Sequence, residues 1–272
     1  MLERFGLVES AAVRVPIGGD DGDDGDEEGA LLPSDGKGSP KRPTVQTFQS
    51  LVGSLLWISR CTRPDIVFAV HRVTRRSHAP SEGDWRLAKK IVKYLKGTKK
   101  IDFMMKGDKD SMKDDGVVVE AFSDVDYAAD KSERKSVSGG VFMVGGMIVG
   151  WMCKKQKCAA LSTMEVKYVA ASQTSAEMIG IVELLKEIGV QMQSCTTLHV
   201  DNQAAIAQMK GEHTSGRVKH IDVRYKFVKD LAKKDLLTVQ YCESKKMRAD
   251  ILTKTLPAPR LSELRGLMML SD

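Results

Sequence analysis

The chain lacks the usual marks of an exported or membrane-bound protein. No apolar run reaches the ~18 residues that a membrane-spanning helix needs. The opening stretch MLERFGLVES is acidic and short of apolar length, unlike a secretory leader. Cysteine is sparse and unpatterned. Cys61, Cys153, Cys158, Cys195 and Cys242 are odd in number and form no Cys-x-x-Cys pair. That argues against a disulfide framework and leaves reduced core thiols, as expected of an intracellular protein of the cytoplasm or nucleus. No internal repeat is present.

What is present is 272 residues with 42% hydrophobic content, enough for one large domain or two small ones. The net charge of +6 is unevenly placed. Residues 20–28, DDGDDGDEE, carry seven acids and no base, so setting them aside leaves +13 on the rest. A basic body points to a polyanionic partner, nucleic acid first. A solvated lysine-rich surface would give the same count.

Residues 17–43 form a Gly/Asp/Pro/Ser tract, read as an acidic disordered linker. Its GDDGDDGD run does not match the spacing of a calcium-binding loop. Residues 44–98 read as helical. TVQTFQSLVGSLLWISR is one amphipathic run, and Pro64 suits the first turn of the next. Ser81 and Asp84 stand at capping-box spacing before a stripe of Trp85, Ala88, Val92 and Leu95, with a stop at Gly97.

From residue 116 the texture changes. VVVEAFS reads as a strand ending at Asp124. GGVFMVGGMIVGWMC reads as two short strands about Gly145 and Gly146. A long helix follows to about Glu187, with Met164, Tyr168, Ala171, Met178, Val182 and Leu185 at helical spacing. TTLHV is a strand ending at Asp201, and NQAAIAQM and RVKHIDVRYKFVKDLAKK are helices. LLTVQYCE is a strand, and KKMRADILTKTL is a final helix containing Asp250. The order β-β-β-α-β-α-α-β-α predicts an α/β fold: one mixed five-stranded sheet flanked by helices.

Asp124 and Asp201 each close an apolar strand. On neighbouring strands they would emerge at one edge of the sheet, where α/β folds place their sites. Asp250 can approach the same edge. Three clustered carboxylates repel one another unless a cation holds them, and an oxygen-rich cluster suits Mg²⁺ or Mn²⁺. Two such ions ~3.5–4 Å apart stabilise both oxygens exchanged in phosphodiester hydrolysis. Singly, each aspartate also suits a turn, a helix cap (Asp201 before NQAA) or an ordinary ion pair.

Several long runs resemble the C-terminal part of Ty1/copia-type retrotransposon polyproteins. They are FQSLVGSLLWISRCTRPDIVFAV, WRLAKKIVKYLKGT, FSDVDYAADKSERKSVSGGVFMVGG, VGWMCKKQKCAALST, VDNQAAIAQ, VKHIDVRYKFVKD and ADILTKTLP, in that order. The resemblance implies the tail of a reverse transcriptase segment at 1–16, the linker at 17–43 and the helical, thumb- or connection-like end of the reverse transcriptase at 44–106. An RNase H-like domain at 114–257 and a C-terminal tail at 258–272 would follow. It also implies an endonuclease acting on RNA–DNA hybrids with two Mg²⁺ or Mn²⁺ ions and four acids. Carried over by motif, Asp124 of SDVD, Asp201 of VDNQ and Asp250 of RADILTK are the catalytic and metal-binding acids. No Tyr-x-Asp-Asp polymerase motif is present, so no reverse transcriptase active site is expected.

The fourth acid belongs to the long helix, within a Ser-Ser-Thr-Glu-Ala-Glu-Tyr-x-Ala pattern whose second Glu is the ligand. Here the run reads Ser162-Thr163-Met164-Glu165-Val166-Lys167-Tyr168-Val169-Ala170. Tyr168 and Ala170 fix the register, and Lys167 takes the ligand position. Glu165 is two residues away, a turn of ~200°. Glu177 is ten residues on, ~15 Å along the axis. Asp126 would share the Asp124 face if its strand continued, but YAADKSERKS makes it read as a turn residue. An ammonium at position 167 is expected to swing out or pair with an aspartate, and metal occupancy to fall. Lys154, Lys155, Lys157, Arg217, Lys219, His220 and Arg224 are the expected contacts to hybrid backbone phosphates. The function expected is therefore a hybrid-directed RNase H-type domain of impaired activity. The alternatives are a non-catalytic nucleic-acid-binding module or an inert transposon relic.

Overall fold

The computed structural model describes residues 1–18, 29–107, 112–113, 116–130, 135–157, 162–209 and 227–271. The chain divides into two compact units, Met1–Met104 with Lys254–Asp272, and Met105–Thr253.

The first unit is helical. Helix α1, Val45–Cys61, starts where the Thr44 hydroxyl accepts the Thr47 amide, and it buries Phe48, Leu51, Val52 and Leu55. Pro64 opens a 3-10 turn, Pro64–Ile66, which leads into α2, Val67–Thr74. In α3, Glu82–Gly97, Ser81 and Asp84 form the full reciprocal capping box. Trp85, Ala88 and Val92 are buried as the stripe predicts; Leu95 is half-buried, and Ile91 and Tyr94 are fully buried beside it. A polar network is enclosed here. Arg63 donates to both Asp65 carboxylate oxygens at 2.9 and 2.7 Å, and the Tyr94 hydroxyl donates to Asp65 Oδ2 at 2.5 Å. Burial, then the Asp65 charge, pushes the Tyr94 phenol pKa up.

Residues 258–272, read from sequence as a tail, form a helix, Ala258–Leu267, and a short strand, Leu270–Ser271, antiparallel to Asp102–Phe103. Leu261, Leu264, Met268 and Leu270 are the reason: all four are buried. Of the expected linker, residues 19–28 lie outside the described residues, while Leu32 is buried and Leu31 forms a β-bridge to Ser81.

The second unit holds a five-stranded mixed sheet. Its strands are β1, Val119–Asp130; β2, Lys135–Val144; β3, Met147–Lys155; β4, Thr196–Val200; and β5, Leu237–Tyr241. Their order across the sheet is β3-β2-β1-β4-β5. The first three strands pair antiparallel, and β4 joins β1, and β5 joins β4, in parallel. This is the mixed five-stranded sheet that the sequence pattern predicts. Gly145 and Gly146 make the β2–β3 turn, both at positive φ, as a tight hairpin requires. Helix α4, Thr163–Glu187, covers one face. Tyr168, Ala171, Met178 and Val182 pack there against Ala121, Leu198, Val200, Leu237 and Val239. Met164, the first member of the predicted stripe, is exposed. A short helix α5, Gln203–Met209, follows β4, and residues 227–233 are helical.

Two local expectations change. Strand β1 does not stop at Asp124 but runs to Asp130, so Asp126 sits in the strand opposite Val137 rather than in a turn. Ten-residue β2 offers paired backbone beyond Asp124, with one irregularity between Asp126 and Asp130. Asp250 lies not in a final α-helix but in a 3-10 segment, Arg248–Leu252. There the Asp250 amide bonds to Met247 O and the Thr253 amide to Asp250 O, closing short turns.

Candidate functional site

Strand pairing brings two of the three aspartates together. Ser123 of β1 and Val200 of β4 are register partners in the parallel pair, and Asp124 and Asp201 are the next residue of each. Neighbouring strands lie ~4.8 Å apart, so both carboxylates belong to the same edge. Asp201 does not cap α5. The side chain of Asn202 does so, its Oδ1 accepting the Ala205 amide at 2.8 Å, which leaves the Asp201 carboxylate to other partners.

The 3-10 segment bearing Asp250 is seated beside Asp124 by a glycine. Gly139 of β2 is the register partner of Asp124. A Cβ at Gly139 would meet Thr253 Cγ2 at 2.6 Å, and Ala249 O and Leu252 Cβ at 3.1 Å each. The missing side chain lets this turn lie directly on the strand. Thr253 then donates its hydroxyl to Asp124 Oδ2 at 2.6 Å. Asp124 and Asp250 are both buried.

A second anchor lies along β1 and β4. His199 stacks on Phe122 with ring centroids 4.4 Å apart, and the Arg248 guanidinium sits 4.6 Å from the Phe122 centroid. Glu120 Oε1 is 2.9 Å from His199 Nε2. That hydrogen bond, with a smaller contribution from Arg248, lowers the Glu120 pKa against the opposing effect of burial. Burial lowers the Arg248 pKa and raises that of Cys242.

Lys167 enters from α4. Its Nζ is 2.6 Å from Asp201 Oδ1, with the two side chains 19% and 13% exposed. The helix start that aims it is fixed twice. The Ser162 hydroxyl caps the Glu165 amide, and the buried Gln156 amide donates to both Ser138 Oγ and Val166 O at 3.0 Å. The lysine therefore pairs with an aspartate rather than swinging out.

This arrangement does not fit the Mg²⁺ or Mn²⁺ site expected of Asp124, Asp201 and Asp250. Asp201 faces an ammonium and Asp124 Oδ2 is held by a hydroxyl. Among the described residues no three His, Cys, Asp or Glu side chains are gathered to hold a metal. The physical reason is the charge at position 167. A ligand carboxylate there would turn lone pairs towards a cation, whereas an ammonium carries donors only and satisfies a carboxylate itself.

No protein-family model matches the chain. It is 37% identical over 210 residues to the retrovirus-related Pol polyprotein from transposon TNT 1-94 of Nicotiana tabacum, covering 77% of this chain and 15% of that protein. It is 31% identical over 216 residues to the corresponding polyprotein from transposon RE2 of Arabidopsis thaliana, covering 79% and 14%. The chain is homologous to a segment of the Pol polyproteins of Ty1/copia-type transposons. It spans about one-seventh of the length of these Pol relatives. Among solved structures it is similar to LC11-RNase H1 in complex with an RNA/DNA hybrid, at 13% identity and a TM-score of 0.38, covering 50% of this chain and 93% of that one.

In this Pol segment the expected basic contacts divide. Lys154 and Lys157 are exposed at the end of β3, and Lys155 is half-buried. Arg217, Lys219, His220 and Arg224 lie outside the described residues. Sequence reasoning missed Gly139, Gln156, Thr253 and the Phe122–His199–Arg248 stack. Only Gly139 carried a usable signal, a glycine pair inside a strand pattern, which marks close backbone approach. No helix among the described residues is long and apolar enough to cross a membrane.

Proposed function

We propose that this chain is the RNase H-type part of a retrotransposon Pol protein, directed at RNA–DNA hybrids and impaired in cleaving them. Asp124, Asp201 and Asp250 are the acids of the ancestral site. The observation that carries the reading is the Lys167–Asp201 ion pair at 2.6 Å. A carboxylate engaged by a tethered ammonium is a poor ligand for a divalent ion. Displacing the ammonium would leave two like charges side by side in a partly dry site. The hybrid enters the reading through the motif resemblance and through the exposed Lys154 and Lys157, whose phosphate contacts would be largely sequence-independent.

The experiment is cleavage of an end-labelled RNA–DNA hybrid by the full chain in Mg²⁺ or Mn²⁺, wild type beside Lys167→Glu, with hybrid binding measured across salt. Wild type is expected to cleave at least ~100-fold more slowly than Lys167→Glu, because a ligand carboxylate is restored. Binding should weaken steeply with salt. Wild-type cleavage at ordinary RNase H rates would overturn the impairment, no gain in Lys167→Glu would overturn Lys167 as its cause, and absent or salt-independent binding would overturn the hybrid as partner.

A further inference from the structure

We propose that Lys167 is a built-in counter-ion. Its ammonium holds the carboxylate edge of the sheet together in place of a divalent cation, so that the second unit folds without such an ion and its carboxylate edge takes none up. The inference rests on the reading above for the ancestry of the site, but its physical content is separate from any action on nucleic acid.

Three observations carry it. First, the pair is close and mostly withdrawn from water, at 2.6 Å with both side chains under one-fifth exposed. A charge in that setting needs a partner, and each of these two supplies the other's. Second, both ends are anchored independently of the pair. Gln156 ties Val166, the residue before Lys167, to β3, and Tyr168, the residue after it, is fully buried. On the other side, Val200 immediately before Asp201 is buried and paired with both Ser123 and Tyr241. The lysine therefore loses less freedom in forming the pair than a surface lysine would. Third, the formal charge favours it. With a glutamate at 167, the four positions would carry a formal minus four, a repulsion that a bound cation or carboxyl protonation would have to relieve. With Lys167 they carry minus two, and Asp201 is already neutralised by the chain itself.

Such an ion pair substitutes for one function of a metal and removes another. It offsets the repulsion between Asp201 and Asp124, which strand pairing brings to one edge of the sheet. It offers no open coordination position, because an ammonium has no lone pair and occupies the acceptor that a cation would use.

The test is thermal unfolding of the full chain, free of nucleic acid, in a chelator and in millimolar Mn²⁺, for wild type, Lys167→Met, Lys167→Glu and Asp201→Asn. Wild type is expected to melt at the same temperature in both buffers. Lys167→Met should melt ~3–8 °C lower in both, having lost the pair without gaining a ligand. Lys167→Glu should fall at least as far in chelator and recover at least half of the loss in Mn²⁺. Adding Asp201→Asn to Lys167→Met should cost less than adding it to wild type, because the pair is already broken. Mn²⁺ titration followed by electron paramagnetic resonance should count more bound ion on Lys167→Glu than on wild type. The acidic run at 20–28 is common to both, so the difference is what reads. A wild type stabilised by Mn²⁺ as much as Lys167→Glu would overturn the proposal. So would a Lys167→Met protein that melts with wild type. If Lys167→Glu does not fold in chelator, Lys167→Met against wild type decides alone. Loss of hybrid binding would sink the functional reading and leave these melting curves untouched.

Discussion

Replacing Gly139 by alanine should unseat the 3-10 segment that carries Asp250. The added Cβ would stand 2.6 Å from Thr253 Cγ2 and 3.1 Å from both Ala249 O and Leu252 Cβ. Carbon atoms in contact prefer ~3.5–4.0 Å, so the turn must retreat by about 1 Å. Overpacking of that size costs ~1–3 kcal/mol. The same retreat stretches the 2.6 Å hydrogen bond from Thr253 to the Asp124 carboxylate, an interaction of the class worth ~1.5–3 kcal/mol. The two costs share one displacement and do not simply add, so a loss of about 3 kcal/mol is expected. At ~2–4 °C per kcal/mol, the melting temperature should fall by ~6–12 °C. The assay is thermal unfolding by circular dichroism. Two companions separate the mechanism from general damage. Gly150→Ala should melt near wild type, since its Cβ would meet only Phe142 Cδ2, at an ordinary 3.6 Å. Thr253→Ser in the Gly139→Ala background should recover part of the loss, because it deletes the methyl in the worst contact and keeps the hydroxyl. A Gly139→Ala protein that melts within a degree or two of wild type would refute the close seating of this turn on β2.

Two further predictions concern the polar networks. Tyr94→Phe deletes the hydroxyl that donates to buried Asp65 at 2.5 Å, and should destabilise the first unit by ~1–3 kcal/mol in urea unfolding. A change under ~0.5 kcal/mol would show that Arg63 alone satisfies the carboxylate. Glu120 has a folded pKa below its ordinary value of 4.5, so its contribution is present above that value and is lost as pH falls through the folded one. Glu120→Gln should therefore flatten the acid limb of the stability–pH curve below about pH 4.5, and an unchanged acid limb would count against the Glu120–His199 bond.

Legibility followed the range of the interaction. The Ser81–Asp84 capping box, the Gly145–Gly146 turn and the stop of α4 near Glu187 were readable because the groups that decide them lie within a few residues of one another. The length of β1 was not. Whether the chain past Asp124 turns or stays extended depends on β2 being there to pair with it. Asp250 was assigned the right neighbourhood and the wrong local geometry. Its 3-10 turn is set by the Thr253–Asp124 contact and by the room above Gly139, which are 129 and more than 100 residues distant in sequence. The fate of residues 258–272 was missed because a ten-residue helix that is half polar, with Arg260, Ser262, Glu263 and Arg265, looks like a tail until a core exists to bury Leu261 and Leu264.

The sequence by itself determined the class of fold, through alternation and helical spacing that local sterics and burial enforce. By motif resemblance it also led to the expectation of a carboxylate at the position where Lys167 stands. It left open what the lysine does, because a lysine stem can reach solvent as readily as a partner. Only the tertiary structure decided between them. Parallel pairing of β1 and β4 brings Asp201 beside Asp124, the Asn202 cap leaves the Asp201 carboxylate uncommitted, and Gln156 holds the start of α4 so that Lys167 meets it at 2.6 Å. An ion pair between positions 34 residues apart is a property of how the sheet and helix pack, and no reading of either segment alone contains it.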